Sequence, residues 1–221
     1  KRNDANLHVL HLTTKKEMEQ FQSGVIDNKK ITAEVCVHHL RFNEYDYVEL
    51  GNQIKCNPSI KKEEDRAAVM NALLNDKIDI IATDHAPHTW EEKSRPYAQA
   101  PAGLPLVQHA IQILLDFYHD GTLTLEHIVK KTSHNVAKRF KIKDRGYIRE
   151  GYYADLVVLD IDKPFKVTQE SILYKCGWSP FNGSTFNSSI NTTIINGKVA
   201  YKDSKIIENL SFGKQIEFLR N

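Results

Sequence analysis

Asp84-His85-Ala86-Pro87-His88 is the stretch of this chain that decides the fold, because it marks where a buried strand ends. It follows residues 78–82 (IDIIA), an apolar run typical of a strand in a parallel sheet. Side chains that follow such a strand meet in a pocket at the edge of the sheet. A carboxylate there binds a metal or transfers a proton, and His88 lies close enough along the chain to reach the same pocket. For an Asp-His pair taken alone, a solvated turn capped by the Asp is the alternative.

Composition excludes several classes of protein. The 221 residues carry a net charge of +2, too balanced to indicate nucleic-acid binding, and no apolar run has the length of a membrane span. Hydrophobic residues make up 41% of the chain, enough for a core of useful size. The three cysteines are far apart and form no C-x-x-C, which favours reduced thiols and a cytoplasmic location.

Strand and helix patterns alternate over the first two thirds of the chain. Strands are predicted at residues 6–12, 31–37 and 78–82. Helices are predicted at residues 15–22, 61–75 and 104–118, with one or two more within 123–140. Residues 41–58 and 85–103 are predicted to be long loops. This order predicts a parallel α/β sheet or barrel over residues 1–144.

The pattern changes near residue 145. Short strands are predicted at residues 147–148, 154–160 and 192–201, and Asn196-Gly197 is a strong hairpin turn. We therefore predict a small β domain over residues 145–221, whose remaining strands precede residue 1. The first residue is Lys, and a core strand follows almost at once, so we expect further sequence upstream.

Ionisable side chains lie at or near the end of each predicted parallel strand. They are His11 on the first strand, Glu34 and His38-His39 on the second, and Asp84 and His88 after the third. Imidazole and carboxylate together suit zinc or a similar metal. His8 is three residues from His11 and points to the opposite face of the strand, so we interpret it as a core histidine. Of the adjacent His38 and His39, one packs and one faces the site.

Asn57 is a weaker candidate. Pro58 holds it in an extended conformation, where its side-chain amide can both donate to and accept from a cyclic amide. A turn Asn is the alternative.

Five segments together resemble dihydroorotases of the hydantoinase-related type within the amidohydrolase superfamily, in order and in spacing. They are residues 8–14 (HVLHLTT), 32–40 (TAEVCVHHL), 55–61 (KCNPSIK), 83–89 (TDHAPHT) and 102–105 (AGLP). The likeness continues through residues 151–160, so it covers nearly the whole chain. It implies an α/β fold: the C-terminal portion of a (β/α)₈ metal-dependent hydrolase barrel with a small β-sandwich domain.

The resemblance also assigns roles to single residues. By position, His11 is similar to a metal ligand, and Asp84 to the carboxylate that binds metal and moves the catalytic proton. Asn57, His88, Ala102 and Gly103 are similar to substrate-binding residues. Glu34 and His39 are further candidates, in an additional site or supporting this one.

The implied function is the reversible, zinc-dependent cyclisation of N-carbamoyl-L-aspartate to (S)-dihydroorotate in de novo pyrimidine biosynthesis. The resemblance implies one or two Zn²⁺ ions as cofactor and a small-molecule substrate. It implies no nucleic-acid or membrane partner, and it is compatible with a homodimer. The family's remaining metal ligands would precede Lys1, and Leu10 stands where members often have Cys. We therefore expect the isolated chain to be inactive.

Two alternatives stay open. Another cyclic amidohydrolase, such as a hydantoinase (dihydropyrimidinase) or an allantoinase, shares the barrel and the metals. A non-catalytic dihydroorotase-like scaffold protein keeps the barrel but loses metal ligands, against which the presence of His11, Asp84 and His88 argues.

Overall fold

A three-stranded parallel sheet organises the first half of the chain in a computed structural model that describes residues 3–208, 211 and 213–219. Its strands are β1 (Leu7–Val9), β2 (Ile31–Cys36) and β3 (Ile80–Ala82), in the order β1-β2-β3. Val9 lies opposite Ala33, and Cys36 lies opposite Ala82. The three predicted strands are confirmed in place and direction. β1 and β3 are shorter than predicted, and His11 in the left-handed region, with φ of 39°, turns the chain soon after β1.

Seven short to medium helices connect and flank the strands in the described part of the chain. They are α1 (Val37–Arg41), α2 (Tyr47–Leu50), α3 (Glu63–Leu74), α4 (Trp90–Lys93), α5 (Ala110–His119), α6 (Leu125–Val129) and α7 (Asn135–Arg139). 3₁₀ turns span Lys16–Gln20, Ile26–Asn28, Glu44–Asp46, Gly51–Ile54 and Gln169–Ser171, and a π turn, Lys130–His134, joins α6 to α7. None of the helices described is both long and apolar enough to cross a lipid bilayer.

One of these helices agrees with the sequence prediction, and another begins later than predicted. α3 agrees with the prediction over residues 61–75 and buries Val69, Met70, Ala72 and Leu73. α5, in contrast, begins only at Ala110, because residues 104–109 follow another path. Pro105 supplies no N–H, and the N–H groups of Leu106 and Val107 donate to Nδ1 of His85 at 3.0 and 3.3 Å. The loop predicted at residues 41–58 also contains α2 and two 3₁₀ turns.

Antiparallel strands build the C-terminal part. β4 (Leu156–Asp160), β7 (Ser189–Ile195), β8 (Lys198–Lys202) and β9 (Lys205–Ile206) form one sheet, and β5 (Phe165–Lys166) pairs with β6 (Thr185–Phe186). The predicted hairpin is confirmed, with φ of 52° at Asn196 and 80° at Gly197, as a type I′ turn requires.

The strand predicted at residues 147–148 is wrong. Tyr147 is held by its ring instead of by backbone pairing: the ring stacks on His134 at 4.2 Å, and the Arg149 guanidinium lies over the same ring at 4.3 Å. Ile148 is 89% exposed, so this stretch has no buried face that would favour a strand.

One hydrophobic core runs from the parallel sheet into the C-terminal part. Phe42 after α1 stacks on Phe181 at 5.4 Å, and Phe181 in turn contacts Phe186 of β6. The segment around β5 and β6 therefore packs close to the end of α1, the helix that follows the carboxyl end of β2.

Candidate functional site

His11 and Asp84 occupy matching positions after two of the three parallel strands, with similar backbone conformations. Each lies two residues beyond the end of its strand, His11 after β1 and Asp84 after β3. Each has a positive φ, 39° and 46°, an uncommon conformation for residues other than glycine that His and Asp adopt more readily than most. Backbone strain of this kind concentrates at functional sites, where the surrounding structure maintains it. Because β1 and β3 both run parallel to β2, which lies between them, both residues lie at the carboxyl-terminal edge of the sheet.

A buried cluster of Cys36, His38 and His39 occupies the end of the middle strand, β2. Ligand atoms of the three side chains all lie within 4.8 Å of one another. The two imidazole rings are 4.0 Å apart between centroids. His38 and His39 belong to α1, which begins directly after the strand, so the cluster lies at the carboxyl end of β2.

The pKa shifts of this cluster link it to His11 and Asp84. Burial raises the pKa of the Cys36 thiol well above its ordinary value, and the carboxylates of Asp84 and Glu34 raise it further. Burial lowers the pKa of His38, and the charges of His39 and His11 add to the effect. His11 and Asp84 thus act electrostatically on the same group of side chains, one on its imidazoles and the other on its thiol.

His39 and Cys56 extend the cluster toward residues 55–58. Burial lowers the pKa of His39 to about 4, although the Pro58 carbonyl, which accepts a hydrogen bond from Nε2 at 2.9 Å, opposes the shift. Burial raises the pKa of Cys56 to about 12, and its Sγ lies 3.8 Å from the same His39 nitrogen. Asn57, between Cys56 and Pro58, is exposed, and its side-chain amide makes no hydrogen bond with any described residue. That amide is therefore available to a ligand.

Glu34 already has a partner in the protein. Its Oε2 lies 3.0 Å from Nε2 of His8, and Nδ1 of His8 lies 2.8 Å from Oγ1 of Thr32. The His8 ring also packs edge-on against Phe140 at 5.4 Å. His8 therefore has the packing role expected of it and in addition holds the Glu34 carboxylate.

His88, Ala102 and Gly103 come together across the loop that follows β3. Nε2 of His88 donates to the Ala102 carbonyl at 3.1 Å, and Nδ1 lies 3.8 Å from the Glu92 carboxylate. Gly103 is buried beneath Ala86 and the His88 ring. The sequence pattern separates these residues by up to 15 positions, and the fold brings them into contact.

Lys93 holds this loop in place and was not predicted from the sequence. Its buried ammonium donates to the carbonyls of Lys55, Pro101 and Gly103 at 3.1, 3.1 and 2.8 Å. Burial lowers the pKa of Lys93 to about 8, while nearby Cys56 opposes the shift. The signal present in the sequence is the capping box of Thr89 and Glu92, which starts α4 and so orients Lys93. His85, the first histidine of the motif, has a similar supporting role, because it accepts the N–H groups of residues 106 and 107.

Gly103 offers a test of how tightly this loop is packed. A Cβ at this position would lie 2.5 Å from the Ala86 carbonyl oxygen, at a φ of +131°. We expect Gly103→Ala to lower the free energy of unfolding by about 2–4 kcal/mol, from backbone strain and overpacking together. Gly24→Ala is the matched control, since Gly24 has a φ of +141° with open space around its Cβ position. Chemical denaturation of both variants measures the difference, and equal losses would contradict the tight contact.

Comparison with known proteins shows which family this chain is similar to. The model of the amidohydrolase family matches residues 6–200. A dihydroorotase of Clostridium acetobutylicum is 34% identical over 200 residues, which are 90% of this chain and 47% of that protein. A dihydroorotase of Pyrococcus horikoshii is 36% identical over 201 residues, 91% of this chain and 46% of that protein. The chain thus spans about half the length of these curated relatives.

Solved structures agree in fold. An L-hydantoinase (dihydropyrimidinase) from Arthrobacter aurescens superposes with a TM-score of 0.85 at 23% identity, over 96% of this chain and 48% of that one. The inactive dihydroorotase-like domain of a multifunctional protein from Chaetomium thermophilum gives a TM-score of 0.68 at 21% identity, over 94% of this chain and 55% of that one. The architecture is that of the α/β metal-dependent hydrolases. Because the family model matches residues 6–200, nearly the whole chain, the chain belongs to the amidohydrolase family.

Proposed function

We propose that the native protein containing this chain is a dihydroorotase, which interconverts N-carbamoyl-L-aspartate and (S)-dihydroorotate. Curated dihydroorotases that are 34% and 36% identical over nine tenths of the chain support this function. The observation that carries the proposal is the matching position of His11 and Asp84 just beyond β1 and β3. Both act electrostatically on the buried cluster at the end of β2.

The fold is consistent with a larger assembly. We propose that residues 1–144 form a portion of a (β/α)₈ barrel and that residues 145–221 form a small β domain whose partner strands lie elsewhere in the protein. The parallel order β1-β2-β3 and the antiparallel order β4-β7-β8-β9 support this division. The hydrophobic core shared by Phe42, Phe181 and Phe186 would keep the two parts together.

His11 and Asp84 are the proposed metal ligands of this chain. An imidazole and a carboxylate form a suitable donor set for zinc. The left-handed backbone at both residues sets the direction of their Cα–Cβ bonds. A bound zinc ion would activate water and polarise the amide carbonyl. The number of ions, one or two, depends on ligands from the rest of the protein.

Asp84 is the proposed acid and base. In hydrolysis of the cyclic amide its carboxylate takes a proton from the attacking water and returns it to the leaving ring nitrogen. In synthesis the same carboxylate removes the proton from the carbamoyl nitrogen as the ring closes and passes it to the departing oxygen, which leaves as water with a second proton from solvent.

Among the backbone groups of Ala102 and Gly103, all but one N–H already form hydrogen bonds within the described part of the protein. The Ala102 carbonyl accepts from His88, the Gly103 N–H donates to the Lys55 carbonyl at 2.9 Å, and the Gly103 carbonyl accepts from Lys93. The Ala102 N–H has no such partner among the described residues. We propose that this N–H and the Asn57 amide contact the amide groups of the ring.

A substrate panel tests the function. The native protein, purified with its metal, is assayed with dihydroorotate, hydantoin, dihydrouracil and allantoin. Turnover of dihydroorotate well above the others is expected. Preference for another ring would indicate a hydantoinase, dihydropyrimidinase or allantoinase instead. Absence of turnover of all four rings would indicate a scaffold of the kind that the inactive Chaetomium thermophilum domain exemplifies.

His88 is expected to act in binding. We expect His88→Ala to raise KM for N-carbamoyl-L-aspartate about 10- to 100-fold with a smaller change in kcat, as for loss of a charge-assisted hydrogen bond to a substrate carboxylate. His88 must exchange its present contact with Ala102 or Glu92 for that carboxylate. Glu91→Ala, an exposed change on α4, is the control. Steady-state kinetics check both, and an unchanged KM for His88→Ala would remove it from the substrate site.

A further inference from the structure

We propose that Cys36, His38 and His39 form a second, buried site for a divalent transition metal such as zinc, separate from the site of His11 and Asp84. The proposal does not depend on the reaction that the protein catalyses. It depends on the arrangement of one thiol and two imidazoles at the junction of β2 and α1.

The distances are close to those of a metal site. The three ligand atoms lie within 4.8 Å of one another. In a tetrahedral zinc site, bonds of about 2.3 Å to sulfur and 2.1 Å to nitrogen put ligand atoms roughly 3.5 Å apart. Closing the cluster around an ion therefore requires the ligand atoms to approach one another by about 1.3 Å at most.

The histidine nitrogens lack other partners. Neither nitrogen of His38 makes a hydrogen bond of good geometry with a described residue, although the nearby Thr83 backbone partly opposes the lowering of the pKa of that ring. Nδ1 of His39 is likewise buried without a partner. Buried polar atoms in native proteins nearly always have a partner, so three such nitrogens in adjacent rings indicate that something binds them.

His39 is already oriented as metal-binding histidines are. The Pro58 carbonyl accepts a hydrogen bond from its Nε2, so this nitrogen must carry the proton. The lone pair is then on Nδ1, the nitrogen without a partner. A carbonyl that holds the far N–H of a ligand histidine is the usual support of such sites.

The surrounding charges favour a cation. A zinc ion with one thiolate and two neutral imidazoles carries one net positive charge. The carboxylates of Asp84 and Glu34 both act electrostatically on Cys36 and would stabilise that charge. Cys56 is not assigned as a ligand, because its thiol donates to the Pro58 carbonyl at 3.1 Å.

Cobalt substitution distinguishes this site from the proposed catalytic one. The native protein is stripped with a chelator and titrated with Co²⁺, and the near-ultraviolet spectrum is recorded. A thiolate–cobalt charge-transfer band is expected in the wild type, in Cys56→Ser and in Cys176→Ser, and its loss is expected in Cys36→Ser. Cobalt held by His11 and Asp84 gives no such band, since neither supplies sulfur.

A second measurement needs no variant. X-ray absorption of the zinc-loaded wild type is expected to show one sulfur neighbour at about 2.3 Å from part of the zinc. No charge-transfer band and no sulfur neighbour in the wild type would overturn the proposal. A band that survives in Cys36→Ser and disappears in Cys56→Ser would also overturn it. Either result leaves the proposed function intact, because that function is tested by turnover.

Discussion

Replacing Asp84 by Asn in the native protein that contains this chain is expected to lower kcat for dihydroorotate turnover by about 10²- to 10⁴-fold, the usual contribution of a general acid–base. Asparagine has nearly the same shape and keeps one oxygen for a metal, but it cannot accept and return a proton at neutral pH. Zinc content is therefore expected to fall much less than activity. Because Asp84 has a φ of 46°, a conformation that Asn tolerates well, the backbone is expected to stay in place.

Asp162→Asn is the control for this change. Asp162 is exposed and its side chain makes no hydrogen bond with the described part of the chain. Steady-state rates and zinc analysis of both variants separate proton transfer from metal binding. Near-normal turnover by Asp84→Asn would exclude the proton role, and a proportional loss of zinc would assign Asp84 to metal binding alone.

Replacing Asp79 by Ala is expected to lower the free energy of unfolding by about 3–5 kcal/mol, as for removing one partner of a buried ion pair. Asp79 is 1% exposed and accepts from the Lys29 ammonium at 2.7 Å and from the Ala33 N–H at 3.0 Å. The substitution leaves a buried ammonium without its carboxylate and a buried N–H of β2 without an acceptor.

Chemical denaturation measures this loss, with Asp162→Ala as the exposed counterpart. Asp79→Asn keeps an oxygen for the Ala33 N–H and is expected to lose less than Asp79→Ala. A loss below about 1 kcal/mol for Asp79→Ala would mean that water or another side chain replaces the carboxylate.

Local signals predicted the elements whose conformation depends on neighbours in sequence. The apolar runs located β1, β2 and β3, and Asn196-Gly197 located the hairpin between β7 and β8. Elements that depend on distant partners were not predictable in this way. The start of α5 is decided by His85, some 20 residues earlier, which takes the N–H groups of residues 106 and 107.

The candidate site shows the same division. The sequence pattern predicts that its residues lie at the strand ends. His88, Ala102 and Gly103, which the family resemblance assigns to substrate binding, are in contact in the folded chain. Lys93 could not be predicted, because three carbonyls from two separate segments converge on it only in the folded chain. The cluster of Cys36, His38 and His39 is not predictable from the sequence, because adjacency along an extended chain sends the two rings apart, whereas α1 brings them together.

The three carbonyls around Lys93 have a consequence for ligand affinity. They join the stretch that carries Asn57 to the stretch that carries Ala102, so the two move as one rigid frame. The conformational entropy of these loops is then lost when the protein folds and not when a small molecule arrives. A ligand that touches both stretches therefore loses less of its contact energy to the ordering of these loops.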